Sequence, residues 1–381
     1  MKVAEWKSCS FDGAYDSGEY LYASSEIYNG MLKLNKETGH ADCVCSFPQS
    51  NYDILGQHHK VHRYKNSLVF APDNAKGIHV YDLSNNIMRY YAIEEQSTTR
   101  TRCIDSYLVE NKLWLLYAYA EHPVVIVDLD NFKIEKVEIP IEQLPMGILE
   151  RNKPLFWSVF TRNESKIYGA VWLTSYIVEM DLCTRNMRII RLGDGERKFT
   201  SVVYTEYLFW CVEHERLSVT CWNSWGELVK EYSLRDGVRM NKSGNYGNLI
   251  CCNKVIYWVT NMDDYVYFLD REKEEINIFS SFPEQFKGFS DVRKHWRRFF
   301  SYDVVGSIIR LYPTNYNMML DIDIINSRVR GYQFVLEEKH DERWYQKTFI
   351  YPQIQEKYPN KRLDESADFS LKDYLGFISD K

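Results

Sequence analysis

Ile78-His79-Val80-Tyr81-Asp82-Leu83-Ser84-Asn85-Asn86-Ile87-Met88-Arg89-Tyr90-Tyr91-Ala92-Ile93 reads as a β-strand ending at Asp82, a polar turn over Ser84 to Asn86, and a returning strand. The same phrase recurs along the chain. Its best-spelled copies are Gly77–Ile93, Pro123–Ile139 and Ser175–Leu192. Looser ones are Asp264–Phe279, Asn317–Val335, Gly30–Phe47 and Arg216–Leu234. The residues that close the first strand of each copy are Asn35, Asp82, Asp128, Asp181, Asn223, Asp270 and Asp323. They lie 47, 46, 53, 42, 47 and 53 residues apart, a mean of 48.

Upstream of each marker stands another strand-like run: Tyr20–Ala23, Leu68–Ala71, Leu113–Tyr119, Ile167–Trp172, Tyr207–Val212, Val255–Val259 and Ile308–Leu311. A further run precedes several of these, as at Val159–Arg162, Phe199–Tyr204 and Arg298–Asp303. Four strands in about 40–50 residues is the period of a propeller blade. A four-stranded antiparallel sheet cannot cover both its faces alone, so stacked neighbours must do it. The Asp or Asn after each apolar strand suits a tight turn, because its side chain bonds nearby backbone N–H groups. The expected fold is all-β, a seven-bladed β-propeller of four-stranded antiparallel blades over residues 1–336. Six blades remain open if Arg216–Leu234 is irregular.

The strand–Asp–turn–strand phrase resembles that of bacterial β-propellers of the YVTN/YncE-like or TolB-like kind, and more distantly the WD40 pattern. The chain departs from WD40 in lacking the Gly-His dipeptide and regular Trp-Asp, and from kelch in lacking the double glycine. The resemblance implies a fold and carries over no catalytic residue.

Composition narrows the partners. The 381 residues are 45% hydrophobic and 15% aromatic, with 29 Tyr, 19 Phe and 10 Trp, an excess that suits pleated, half-buried surfaces. A net charge of −6 argues against a general nucleic-acid binder. No apolar run nears the roughly 20 residues of a membrane span, and the first residues lack an apolar signal core. Nine Cys without a CxxC pair do not form a disulfide framework, and Cys103, Cys183, Cys211 and Cys251 sit in apolar strand patterns. A reducing cytoplasm is the expected setting. Residues 337–381 form a tail in which Phe369–Ile378 reads as a short amphipathic helix, with Ser370 as N-cap and a Phe369–Tyr374 staple. That helix is expected to dock on the propeller, or alternatively on a partner.

The usual catalytic signatures are missing: no GxSxG, GxxxxGK[ST], HExxH, or GxGxxG after a strand. Among local clusters, Gln57-His58-His59-Lys60-Val61-His62 offers three imidazoles. If this is the innermost strand of a blade, His58 and His62 share a face and His59 points the other way. Asp291-Val292-Arg293-Lys294-His295-Trp296-Arg297-Arg298 interleaves basic and aromatic residues, suited to an anion. In a propeller the links into the innermost strands gather on one side around the channel. Here those links are approximately 1–15, 48–62, 95–102, 140–157, 193–200, 235–246 and 283–298. They carry 0, 0, +1, 0, 0, +2 and +3, or +6 together, on a chain of −6. A basic, aromatic mouth on an acidic body focuses anions. The candidate ligand-binding residues are His58, His62, Arg100, Arg102, Trp157, Lys198, Tyr246, Arg293 and Trp296. The reading favours a non-enzymatic propeller that holds a partner protein or an anionic or sugar-like ligand at this mouth. It implies no cofactor, no resident metal and no particular oligomeric state. The alternative is an enzyme on a carbohydrate or nucleotide-like substrate, using His58 or His62 as base or metal ligand with Arg residues holding the anion.

Overall fold

A computed structural model describes residues 11–25, 29–49, 56–93, 102–145, 148, 154–156, 159–234, 245, 247–260, 263–284, 299–313 and 317–336. The tail and its expected helix lie outside the described residues. The fold is all-β, a seven-bladed propeller of four-stranded antiparallel blades, each ordered in sequence from its inner to its outer strand.

The first blade has β1 (Ala14–Asp16), β2 (Tyr20–Ser24), β3 (Gly30–Asn35) and β4 (His40–Ser46). The second has β5 (His58–Tyr64), β6 (Ser67–Pro72), β7 (Gly77–Asp82) and β8 (Ile87–Ala92). The third has β9 (Cys103–Val109), β10 (Lys112–Tyr117), β11 (Val124–Asp128) and β12 (Ile134–Val137). The fourth has β13 (Thr161–Asn163), β14 (Lys166–Ala170), β15 (Tyr176–Asp181) and β16 (Met187–Arg191). The fifth has β17 (Phe199–Thr205), β18 (Leu208–Glu213), β19 (Ser218–Trp222) and β20 (Leu228–Ser233). The sixth has β21 (Asn248–Cys252), β22 (Val255–Val259), β23 (Tyr265–Asp270) and β24 (Glu275–Ser281). The seventh has β25 (Phe299–Val305), β26 (Ile308–Pro313), β27 (Met318–Asp323) and β28 (Arg328–Gln333). The copy at Arg216–Leu234 is thus an outer hairpin, β19 paired with β20 through a register shift at Cys221–Trp222, and the count of seven stands.

Two compact units make up the chain, residues 1–100 with 315–318 and 332–381, and residues 101–314 with 319–331. The first unit holds a feature absent from the expected plan. β29 (Val335–Leu336) pairs in parallel with β4, Val335 opposite His40, giving the first blade five strands. The Val335 N–H donates to the Gly39 carbonyl at 2.9 Å, and the buried Phe334 ring meets Phe11 edge-on at 5.9 Å. In the second unit one core runs between the third and fourth blades, around Trp114, Ile126, Phe156, Phe160 and Val178. Another runs between the fifth and sixth, around Trp210, Val219, Leu249 and Trp258.

All seven marker residues cap the turn that follows them. Asp181 accepts from the Cys183 and Thr184 N–H groups at 2.9 and 2.8 Å, and Asn35 from Glu37 and Thr38 at 2.9 Å each. Asp82, Asp128, Asn223, Asp270 and Asp323 do the same with residues two to four further on. These bonds strengthen when the carboxylate is ionised, so they hold Asp82, Asp181 and Asp270 below the ordinary carboxyl range. Four residues after its marker the backbone turns left-handed, at Gly39, Asn86, Phe132, Arg185, Glu274 and Ser327, with φ from 47° to 74°. The fifth blade makes the same reversal at Gly226 (φ 82°). Cys183 is exposed because it sits in one of these turns, outside the strand expected to bury it. Cys103 and Cys211 are buried, and burial pushes the Cys211 thiol well up, so it acts as a small hydrophobe.

Candidate functional site

A recurring irregularity shapes the inner strands. In the second, third, fifth and seventh blades the pairing register skips one residue near the start of the inner strand: His59, Ile104, Thr200 and Phe300. Each is a β-bulge, which bends the strand and resets which side chains share a face. In β5 this overturns the expected pairing of His58 with His62. His58 and Val61 turn to one core, where the His58 ring lies 4.3 Å from Phe47 and 5.8 Å from Phe70, while His62 faces the other way.

His58 is correspondingly enclosed. Ser24 Oγ stands 3.2 Å from its Nδ1, its Nε2 is 2.8 Å from His79 Nδ1, and His79 Nε2 is 2.7 Å from the Pro48 carbonyl. Burial, then the neighbouring His79 and His59, hold His58 well below the ordinary imidazole range. Burial takes His79 down to about 4, against the opposing Pro48 carbonyl. His62 and Arg102 are half-buried on β5 and just before β9. Lys198 is exposed on the link into β17 and ion-paired with Glu215, so its ammonium already has a carboxylate. Beside it, Arg197 lies between Glu213 and Glu231 with its guanidinium carbon 5.8 Å from the Trp222 ring. Arg100, Trp157, Tyr246, Arg293 and Trp296 lie outside the described residues. With the observed strand ends, Lys60 leaves the links and Glu94 and Glu138 join them, lowering their net charge from +6 to +3. The excess stays in the two links 234–247 and 282–298.

The bulges bring a different set of groups forward in the second unit. Asp105, just past its bulge and fully buried, accepts from the Ser106 N–H at 2.8 Å, the Phe160 N–H at 2.8 Å and the Tyr107 hydroxyl at 3.0 Å. Tyr107 Oη also lies 2.6 Å from the Phe160 carbonyl. Further round, Thr161 Oγ1 donates to the Val202 carbonyl at 2.8 Å and the Leu249 N–H to Ser201 Oγ at 3.1 Å. Inner strands of neighbouring blades are therefore stitched by buried polar groups, not by apolar contact alone. Burial, then the Asp105 charge, then Tyr302 push the Tyr107 phenol well up, and burial followed by Asp105 does the same to Tyr302. Both stay neutral hydroxyls, able to donate and accept hydrogen bonds. These groups lie on or beside the inner strands, outside the links where the candidate residues were expected. The legible signal was an Asp inside the apolar run Cys103-Ile104-Asp105-Ser106-Tyr107. Among the described residues no group of three or more His, Cys, Asp or Glu is placed to hold a metal ion.

The hairpin ends of the fifth and seventh blades carry exposed apolar side chains. Tyr207 and Trp225 of the fifth blade are each 83% exposed, with Leu228 and Val229 following. Ile325, Val304 and Val305 stand out in the same way on the seventh blade.

No family model matches the chain, and no curated protein matches it by sequence. Solved structures do. A virginiamycin B lyase from Staphylococcus aureus superposes with TM-score 0.55 at 12% identity, over 80% of this chain and 92% of that one. A streptogramin B lyase gives 0.53 at 11%, over 82% and 92%. The WD40 repeats of RRP9 give 0.51 at 9%, over 80% and 88%. The likeness is one of fold.

Proposed function

We propose that this chain is a non-enzymatic binding propeller that holds a partner protein against the hairpin ends of its fifth and seventh blades. The observation that carries this reading is the exposure of Tyr207 and Trp225, with Leu228, Val229, Ile325 and Val305. Large aromatics left in water on rigid hairpins are the residue types that anchor protein interfaces once desolvated. Scattered small apolar groups are ordinary on any surface, whereas two nearly bare aromatics on one blade are not. We place the protein in a reducing cytoplasm and read its turn phrase as kinship with bacterial YVTN/YncE-like or TolB-like propellers.

A photo-crosslinking amino acid at position 225 tests the reading in cells, with the exposed turn position 110 as control. The expected result is one protein captured from 225 and lost when Tyr207→Ser is added. Equal capture from both positions overturns the proposal. A second reading, an anionic or sugar-like ligand at the mouth, is favoured by the positive links 234–247 and 282–298. Its test is native mass spectrometry of the purified chain for a co-purifying small molecule.

A further inference from the structure

We propose that Ser24, His58 and His79 form a proton-counting lock between the first two blades, stable with no added proton or one and opened by the second. The order of donors follows from a fixed end. The Pro48 carbonyl can only accept, so His79 Nε2 carries a proton and donates across 2.7 Å. A neutral His79 then presents a bare Nδ1, into which His58 Nε2–H donates at 2.8 Å. His58 Nδ1 is in turn bare and accepts the Ser24 hydroxyl at 3.2 Å. Every ring nitrogen is used and both imidazoles are neutral. The burial that keeps them so leaves Ser24, His58 and His79 at 3, 2 and 0% exposure. A serine hydroxyl pointed at an imidazole resembles a nucleophile with its base, but here no substrate reaches either group.

One proton can be absorbed without breaking the chain of bonds. If it enters at His79 Nδ1, His58 changes tautomer, accepts at Nε2 and donates from Nδ1 to Ser24 Oγ, because a hydroxyl can accept as well as donate. A second proton places two N–H groups head to head across the same 2.8 Å. Only separation of the strands relieves that. The relay starts on β2 and ends at Pro48, both on the first-blade side, and its imidazoles belong to β5 and β7 of the second. The groups that feel a charge on the pair are His59, whose Nδ1 donates to the Pro72 carbonyl at 2.7 Å, and Tyr90, whose ring lies 4.9 Å from His79. Among the causes acting on either imidazole none is a carboxylate that would favour its charge.

The test uses the whole chain with 15N-labelled histidine. At pH 7 both His58 and His79 are expected as Nε2–H tautomers, and neither should titrate near the ordinary imidazole value of about 6.5. His79→Gln keeps a donor for Pro48 and an acceptor for His58 but takes up no proton. Below the unfolded value of about 6.5 the unfolded chain binds the extra protons, so stability must fall as pH falls. The thermal midpoint of the wild-type chain should therefore drop more between pH 7 and pH 4.5 than that of His79→Gln. Parallel curves, an Nδ1–H tautomer on either ring at pH 7, or joint titration near 6.5 in the folded state would each overturn the lock. Should His79→Gln fail to fold, the tautomers and titration of the wild-type chain decide.

Discussion

Arg310 and Asp321 face each other across β26 and β27 with two parallel hydrogen bonds of 2.7 and 2.9 Å, and both are buried. The matching position in the third to sixth blades, two residues after the inner hairpin pair, holds Trp114, Tyr168, Trp210 and Tyr257, and in the second blade Val69. An ion pair thus fills the space of an aromatic ring. Its geometry is good, yet taking two charges out of water offsets most of the attraction, so the pair adds little net stability while each half depends on the other. Asp321→Ala should cost about 3–5 kcal/mol by removing the carboxylate that takes both hydrogen bonds of a buried guanidinium, and Arg310→Met with Asp321→Leu should cost less than that single change. Urea denaturation of the three chains measures this. Glu179 sits in a related bind in the fourth blade. Burial pushes its carboxyl up, but Arg188, bonded at 2.9 and 2.8 Å, and Lys166 at 2.9 Å outweigh that and hold it low.

At the scale of the element, the outer hairpin repeats one recipe: a capping Asp or Asn, then a left-handed residue. Ser327 adopts φ 47° in an exposed turn, a conformation that costs an L-residue roughly 1 kcal/mol and glycine nothing. Ser327→Gly should accordingly raise stability by about 0.5–1 kcal/mol, read from the thermal midpoint. Gly226→Ala should do the reverse and lower it by about 1–3 kcal/mol, since φ is 82° and a Cβ would stand 2.4 Å from the Arg191 carbonyl. The capping half of this recipe was plain in the sequence, because an Asp or Asn after an apolar strand is a local signal. Strand number and order followed from its spacing. The inner-strand bulges were not legible. A bulge at His59 or Ile104 is a property of two paired strands, and alternation within one strand cannot show it. The face of His58 was misread for that reason, and with it the nature of the histidine cluster. Asp105 was overlooked because its partners, Phe160 and Tyr107, lie 55 and 2 residues away, and only the fold makes the distant one a neighbour. Tyr207 and Trp225 were missed because an aromatic in a strand-rich chain reads as core until burial is known.

For the molecule as a whole, the informative residues are Phe334 and Val335. Phe334→Ala removes a fully buried ring and should cost about 3–5 kcal/mol. Val335→Pro deletes the N–H that bonds Gly39 and should cost about 1 kcal/mol while leaving Phe334 in place. Guanidinium unfolding of both variants separates packing of the ring from pairing of the strand. Among the described residues every other strand neighbour is close along the chain, whereas β29 joins residue 335 to residue 40, about 300 positions earlier. That one pairing sets a clock for synthesis. At roughly 5–20 residues per second, blade one leaves the ribosome about 15 to 60 seconds before its fifth strand exists. During that interval the outer edge of β4 offers unpaired backbone groups to whatever strand is nearby. Val335 and Leu336 are therefore the residues that end the exposure of this one edge to mispairing.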